Sequence, residues 1–160
     1  GQIRLEVAPC DVLGRPRDLE MVFLNLLDNA VKYGGQVPEV LVQASCQGTE
    51  RVLVRVADNG KGVSFDLRSK IFQRFFRGGS ELERTAKGTG LGLYIVKTIV
   101  AKMKGRIQVH SRGPLNGAAF DVELPGRQRS DGQATEGAAA LPNPPAVSQL
   151  AVSTGESTQP

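Results

Sequence analysis

Two runs of alternating apolar residues with a short polar turn between them limit the architectures open to this chain. Val40, Val42, Ala44 and Cys46 occupy every second position, as do Val52, Val54 and Val56, and Gln47-Gly48-Thr49-Glu50 separates the runs. Period-two alternation marks a strand with one buried face, and a turn this short joins neighbouring strands as an antiparallel hairpin. A sheet that contains a hairpin is not an all-parallel, doubly wound one. Further alternation at Ile3, Leu5 and Val7, at Ile107 and Val109, and at Phe120, Val122 and Leu124 predicts more strands. Leu19, Val22, Phe23, Leu26, Leu27 and Ala30 follow helical spacing over 17–33, with Pro16 where a missing N–H costs nothing and Gly34-Gly35 at the end. A second helix is expected from about Gly90 to Met103, closed by Gly105, and a short one from Asp66 to about Phe76. Hairpins mixed with helices predict an α+β layer fold.

These elements lie within residues 1–126, the expected globular domain. Residues 127–160 consist largely of Gly, Ser, Thr, Gln and Ala, with four prolines and no aromatic residue. They offer too little apolar surface to offset their ordering entropy, so a disordered tail is expected. No run approaches the roughly 18 apolar residues of a membrane span. The chain does not open on Met and reads as part of a longer protein. It is expected to be cytoplasmic, with membrane contact only through the parent, whose anchoring in the inner membrane is left open. Cys10 and Cys46 match no metal spacing and are expected to be reduced, half-buried thiols. The net charge of +4 raises the question of nucleic acid, but with six Phe, two Tyr and no Trp, stacking platforms are scarce. Lys97, Lys102, Lys104, Arg106 and Arg112 read as a solvated face.

Four segments carry chemistry. Asn25, Asn29 and Lys32 stand at i, i+4 and i+7 and share a helix face. Asn is a poor helix former, so two on one face suggest that their amides are used. Their carbonyl oxygens suit a hard cation such as Mg²⁺, although neighbouring backbone could satisfy them instead. Asp58-Asn59-Gly60-Lys61-Gly62 ends an apolar strand. There a carboxylate can accept a hydrogen bond while glycine backbone packs close to a flat ligand, and the same residues also make an ordinary turn. Gly88-Thr89-Gly90-Leu91-Gly92-Leu93 enters a helix, where backbone can approach phosphates. It has neither the P-loop pattern nor the dinucleotide-binding spacing. Ile71-Phe72-Gln73-Arg74-Phe75-Phe76-Arg77 could clamp a loop at its base or fill the core.

In order and spacing, Asn-Leu-Leu-Asp-Asn-Ala-Val-Lys-Tyr (25–33), Asp-Asn-Gly-Lys-Gly-Val (58–63), Ile-Phe-Gln-Arg-Phe-Phe-Arg (71–77) and Gly-Thr-Gly-Leu-Gly-Leu (88–93) resemble the N, G1, F and G2 boxes of bacterial sensor histidine kinases. The resemblance covers about residues 1–125. It implies the Bergerat fold shared with gyrase B and MutL, a two-layer sandwich of a mixed sheet and about three helices. It also implies ATP and Mg²⁺ as cofactors. Asn29 resembles the metal ligand, with Asn25 near the metal and the γ-phosphate. Lys32 would contact phosphates and Tyr33 would pack beside adenine or ribose. Asp58 resembles the acceptor for the adenine amino group, in a pocket shaped by Gly60 and Gly62. Phe72 and Phe75 would anchor an ATP lid of roughly residues 75–90. Gly88, Gly90 and Gly92 would let that lid close, with Thr89 and Leu91 beside them. Arg74 and Arg77 are candidates for steadying the γ-phosphate or the phosphoacceptor.

The chain departs from that family in its histidines. Its one histidine, His110, falls in an expected strand with no acidic sequence neighbour, so the phosphoacceptor is expected elsewhere. The resemblance implies transfer to a histidine on a separate dimerisation domain and, through it, to a response regulator. Nucleic acid is not expected as a partner, and the chain alone is expected to be monomeric. A nucleotide-binding regulatory module and an anti-sigma serine kinase remain alternatives. Gly34, where the N box often has Ser or Thr, and Ala118-Ala119 are minor departures, expected not to touch the chemistry.

Overall fold

The computed structural model describes residues 1–77, 89–111 and 113–129, so the tail from residue 130, Gly88 and Arg112 lie outside the described residues. Six strands form a mixed sheet: β1 (Gln2–Val7), β2 (Cys10–Val12), β3 (Glu39–Gln47), β4 (Arg51–Asp58), β5 (Arg106–Ser111) and β6 (Ala118–Gln128). The order is β1-β3-β4-β6, and β5 and β2 share the far side of β6. β1 and β3 run parallel, and the other pairings are antiparallel. The expected hairpin joins β3 to β4, with Gly48 at φ +66° in its turn.

Two α-helices among the described residues cover one face of the sheet, α1 (Pro16–Tyr33) and α2 (Gly92–Lys102). Val22, Leu26 and Ala30 of α1 and Val96, Ile99 and Val100 of α2 meet Val40, Val56, Val109, Phe120, Val122 and Leu124 of the sheet in one core. Fully burying a side chain such as Leu26 or Leu124 contributes about 1.5–3 kcal/mol. An exposed ion pair such as Arg106–Glu123 contributes about 0.2–1 kcal/mol. Apolar burial therefore holds the layers together. The opposite face carries a small apolar cluster of Leu41, Ala57 and Ala119, and beside it Asp121 takes a bidentate pair of bonds from Arg55 at 2.6 and 2.7 Å.

Several expectations need correction. The segment read as one helix from Asp66 forms two 3-10 turns, Phe65–Leu67 and Lys70–Phe72. Its apolar residues point in different directions, with Phe72 in the core and Phe65 exposed, so no single stripe exists for an α-helix to bury. The strand β2 has no alternating pattern long enough to announce it. β6 runs two residues past the boundary expected at 126, because its end pairs with β2. Cys10 and Cys46 are not free thiols. They form a disulfide, with Cα atoms 6.1 Å apart. Parallel pairing of Val7 with Ala44, continued by Ala8 N–H donating to Ala44 O at 2.9 Å, carries Cys10 alongside Cys46. No helix among the described residues is long and apolar enough to cross a membrane.

Candidate nucleotide site

Asp58 is the last residue of β4 and is only 3% exposed. Its Oδ1 accepts from the backbone N–H groups of Gly60 at 2.9 Å and Ala118 at 3.0 Å. The neighbouring Gly117 N–H donates to Asp58 O at 3.1 Å. A β-carbon on Gly117 would collide with Asp58 O and Oδ1, so glycine is what lets β6 approach. Burial pushes the carboxyl of Asp58 above the usual Asp range, and the two N–H groups pull it back only in part. A buried carboxylate at the floor of a cleft is a strong acceptor for a donor that replaces its lost water.

Asn59 fixes the helix that faces this carboxylate. Its Oδ1 accepts from Gly35 N–H and Glu39 N–H, both at 3.0 Å, and its Nδ2 donates to Val37 O at 3.0 Å. The loop leaving α1 is thereby tied to the end of β4. A β-carbon on Gly60 would overlap Tyr33 O, so the strand end and the helix end are in direct contact.

α1 presents Asn25, Asp28, Asn29, Lys32 and Tyr33 to a cavity of about 480 Å³. Asn25 Nδ2 donates to Met21 O at 2.7 Å, which uses one of the amide's two N–H groups along its own helix. Its Oδ1 faces the start of α2, where a β-carbon on Gly92 would stand 2.8 Å away. Lys32 Nζ lies 5.1 Å from the centre of the Tyr33 ring. Lys61, Gly62, Val63, Ser64, Leu67 and Ile71 line the side next to Asp58, joined by Ala118. Phe76, Arg77, Thr89, Gly90, Gly92 and Leu93 complete the wall. Gly90 holds φ +71° and its carbonyl accepts from Phe75 N–H at 3.1 Å. The result is a cleft lined by the buried Asp58 carboxylate, by apolar side chains such as Val63, Leu67 and Ile71, and by amides and cations.

The structure brings most of the sequence-derived residues to this cleft. Asn25, Asn29, Lys32, Tyr33, Asp58, Gly62, Arg77, Thr89, Gly90 and Gly92 line it, and Gly60 backs Asp58. Leu91 precedes the first turn of α2, and its carbonyl accepts from Ile95 N–H. Besides Gly60 and Leu91, three expected residues are not among the lining, and a fourth is not described. Phe72 is buried in the core, Phe75 is exposed at φ +59°, and Gly88 is outside the described residues. Arg74 stacks on the Tyr94 ring at 4.6 Å, in a second groove beside α2, because the aromatic face attracts its guanidinium. Sequence reading also set Ala118 aside as remote from the chemistry, yet its N–H holds Asp58. His110 is in β5 as expected, but Asp121 lies across the ladder with its Oδ2 3.3 Å from Nε2.

The donor set fits Mg²⁺ arriving with phosphates. Asn29 and Asn25 offer hard oxygen donors, and among the described residues no group of three or more His, Cys, Asp or Glu could hold a metal alone.

Residues 14–128 match the family described as histidine kinase-, DNA gyrase B-, and HSP90-like ATPase. The chain belongs to that family, and within it to the catalytic ATP-binding domains of sensor histidine kinases. It is 42% identical over 116 residues to the sensor histidine kinase AruS of Pseudomonas aeruginosa, covering 69% of this chain and 12% of AruS. It is 39% identical over 132 residues to the histidine-protein kinase/phosphatase MprB of Mycolicibacterium vanbaalenii, covering 79% of this chain and 26% of that protein. The chain therefore spans 12% to 26% of these two relatives. Among solved structures, the mycobacterial sensor histidine kinase MprB superposes with a TM-score of 0.71 at 32% identity, covering 80% of this chain and 83% of the other. Full-length ShkA in complex with AMPPNP gives 0.66 at 34% identity, covering 81% and 26%. These likenesses bear out the mixed sheet layered against helices that the four boxes imply.

Proposed function

We propose that this domain binds Mg-ATP and donates the γ-phosphate to a histidine on a separate dimerisation domain, from which a response regulator is phosphorylated. The observation that carries the reading is Asp58: a buried carboxylate, fixed through one oxygen by two backbone N–H groups, in a cleft that apolar side chains, amides and cations also line. Its other oxygen accepts the adenine amino group, with Gly62, Val63 and Leu67 against the base. Asn29 and Asn25 hold Mg²⁺ with the phosphates, and Lys32, Arg77 and Thr89 meet the phosphate charge. When bound, Mg²⁺ supplies charge neutralisation on the triphosphate. The chain's own part is positioning, which is most of what phosphoryl transfer asks of a protein. His110 is in a sheet ladder and paired with Asp121, outside the cleft, so the acceptor comes from another domain. The nucleotide complex of ShkA supports the binding step.

Calorimetric titration with ATP and ADP, with and without Mg²⁺, tests the reading. Binding of modest affinity, strengthened by Mg²⁺, is expected. No heat and no shift in melting temperature at millimolar nucleotide would contradict it.

A further inference from the structure

Among the described residues β1 is an edge strand, and its apolar row is exposed. Ile3, Leu5 and Val7 are 57%, 68% and 61% exposed, and pairing places them opposite Val40, Val42 and Ala44. Val40 belongs to the core beneath the helices, so the row lies on the helix-covered face and overhangs it. α1 sits over β3 and β4, and its Asn25 flank faces α2. An unprotected apolar edge of this kind is a template for another strand.

We propose that this edge joins two copies of the chain, β1 to β1, antiparallel about a two-fold axis at Leu5. Gln2 N–H and Ala8 N–H both donate towards the β3 side, to Pro38 O and Ala44 O. Even-numbered residues thus turn their backbone groups inward, and Ile3, Leu5 and Val7 turn theirs to the open edge. Centred on Leu5, each outward residue meets another: Leu5 meets Leu5 of the second copy, and Ile3 meets its Val7. Such pairs exchange both backbone hydrogen bonds. Arg4 then faces Glu6 of the second copy, and Glu6 faces its Arg4, as non-hydrogen-bonded pairs, where side chains approach most closely. Glu6 is already steadied by Gln43 Nε2 at 2.8 Å. A slip of one residue would turn one apolar row to the opposite face. A centre at Val7 would set Leu5 against Pro9, which has no N–H to give. The strand is thus self-complementary in hydrogen bonding, apolar row and charge, as an isologous interface requires.

The test is sedimentation of the full chain over a range of concentrations, with Arg4→Glu, Glu6→Arg, the double variant, and a mixture of the two single variants. The wild type should form dimers reversibly. Each single reversal should weaken association by about tenfold, since two cross-strand pairs turn repulsive together. The double variant should recover self-association, and the mixed single variants should form a heterodimer, because one chain then carries acids at both positions and the other bases. Residues 2–7 do not line the nucleotide cleft, so unchanged ATP titrations verify that each variant is folded. A wild type that stays monomeric at hundreds of micromolar overturns the proposal. Dimers indifferent to the charge reversals overturn it too, and would place the contact on another surface.

Discussion

The backbone N–H of Ala118 donates to Asp58 Oδ1 at 3.0 Å, joining residues 60 apart in sequence. The contact holds the carboxylate in one orientation from outside its own motif. It depends on Gly117, whose missing β-carbon leaves room for Asp58 O, Asp58 Oδ1 and Gly60 N. Gly117→Ala should therefore lower nucleotide affinity by about tenfold or more, although Gly117 does not line the cleft. ATP titration of the variant at temperatures where it remains folded checks this, and wild-type affinity would sever the link.

Asp58 itself should decide base selectivity. Asp58→Ala should cost more adenine affinity than Asp58→Asn, because Asn retains an acceptor. A buried donor left unpaired costs on the order of 1–3 kcal/mol. GTP should bind more weakly than ATP, since guanine presents a carbonyl where adenine presents an amino group. Competition between the two nucleotides measures the difference, and equal affinity would remove the role given to Asp58.

The same carboxyl should leave a mark on stability. Burial raises its pKa in the folded state above the unfolded value. Its favourable contribution is therefore present at low pH and is lost as pH rises through the raised value. Asp58→Asn has no charge to bury and should melt at or above the wild-type temperature at neutral pH. The gap should close on acidification through the carboxylate range. Thermal melts from pH 4 to 7 would show it, and a gap that widens towards acid would reverse the sign and refute the account.

Asn29→Ala and Asn29→Asp should keep the fold and lose the Mg²⁺-dependent part of nucleotide binding, by at least about tenfold for the Ala variant, as for lost metal-site partners generally. Circular dichroism and titrations with and without Mg²⁺ separate the two effects. A variant that unfolds, or one with the full Mg²⁺ response, would make Asn29 a structural residue only.

The Cys10–Cys46 disulfide closes a loop that contains all of α1. Opening it should lower stability by about 3–4 kcal/mol in the chain-entropy picture. A lower melting temperature in reductant, absent in Cys10→Ser, is the expected pattern.

What the sequence made legible follows from the range of each signal. The hairpin, α1 and the Asn25–Asn29–Lys32 face show in local period, because the residues that encode them lie within a few turns of one another. The cleft was legible as four boxes, and most of their residues do meet there. The remainder depends on pairing across long separations. Nothing near Asp58 announces Ala118, and nothing near Cys10 announces Cys46, because strand register brings each pair together. Arg74 is a candidate for the γ-phosphate or the phosphoacceptor by its place in a motif, and nothing near it in sequence announces the Tyr94 ring on which its guanidinium stacks. The short helix expected from Asp66 to about Phe76 is two 3-10 turns instead, because its apolar residues share no face.

The central claim is that this domain holds the ATP and another holds the histidine. Incubate the chain with ATP labelled on the γ-phosphate, alone and with a separately produced dimerisation domain that carries a phosphoacceptor histidine. The account predicts no stable label on this chain and an acid-labile, base-stable label on the added domain, formed only when both are present. If the isolated chain labels itself and His110→Ala removes that label, the account is contradicted.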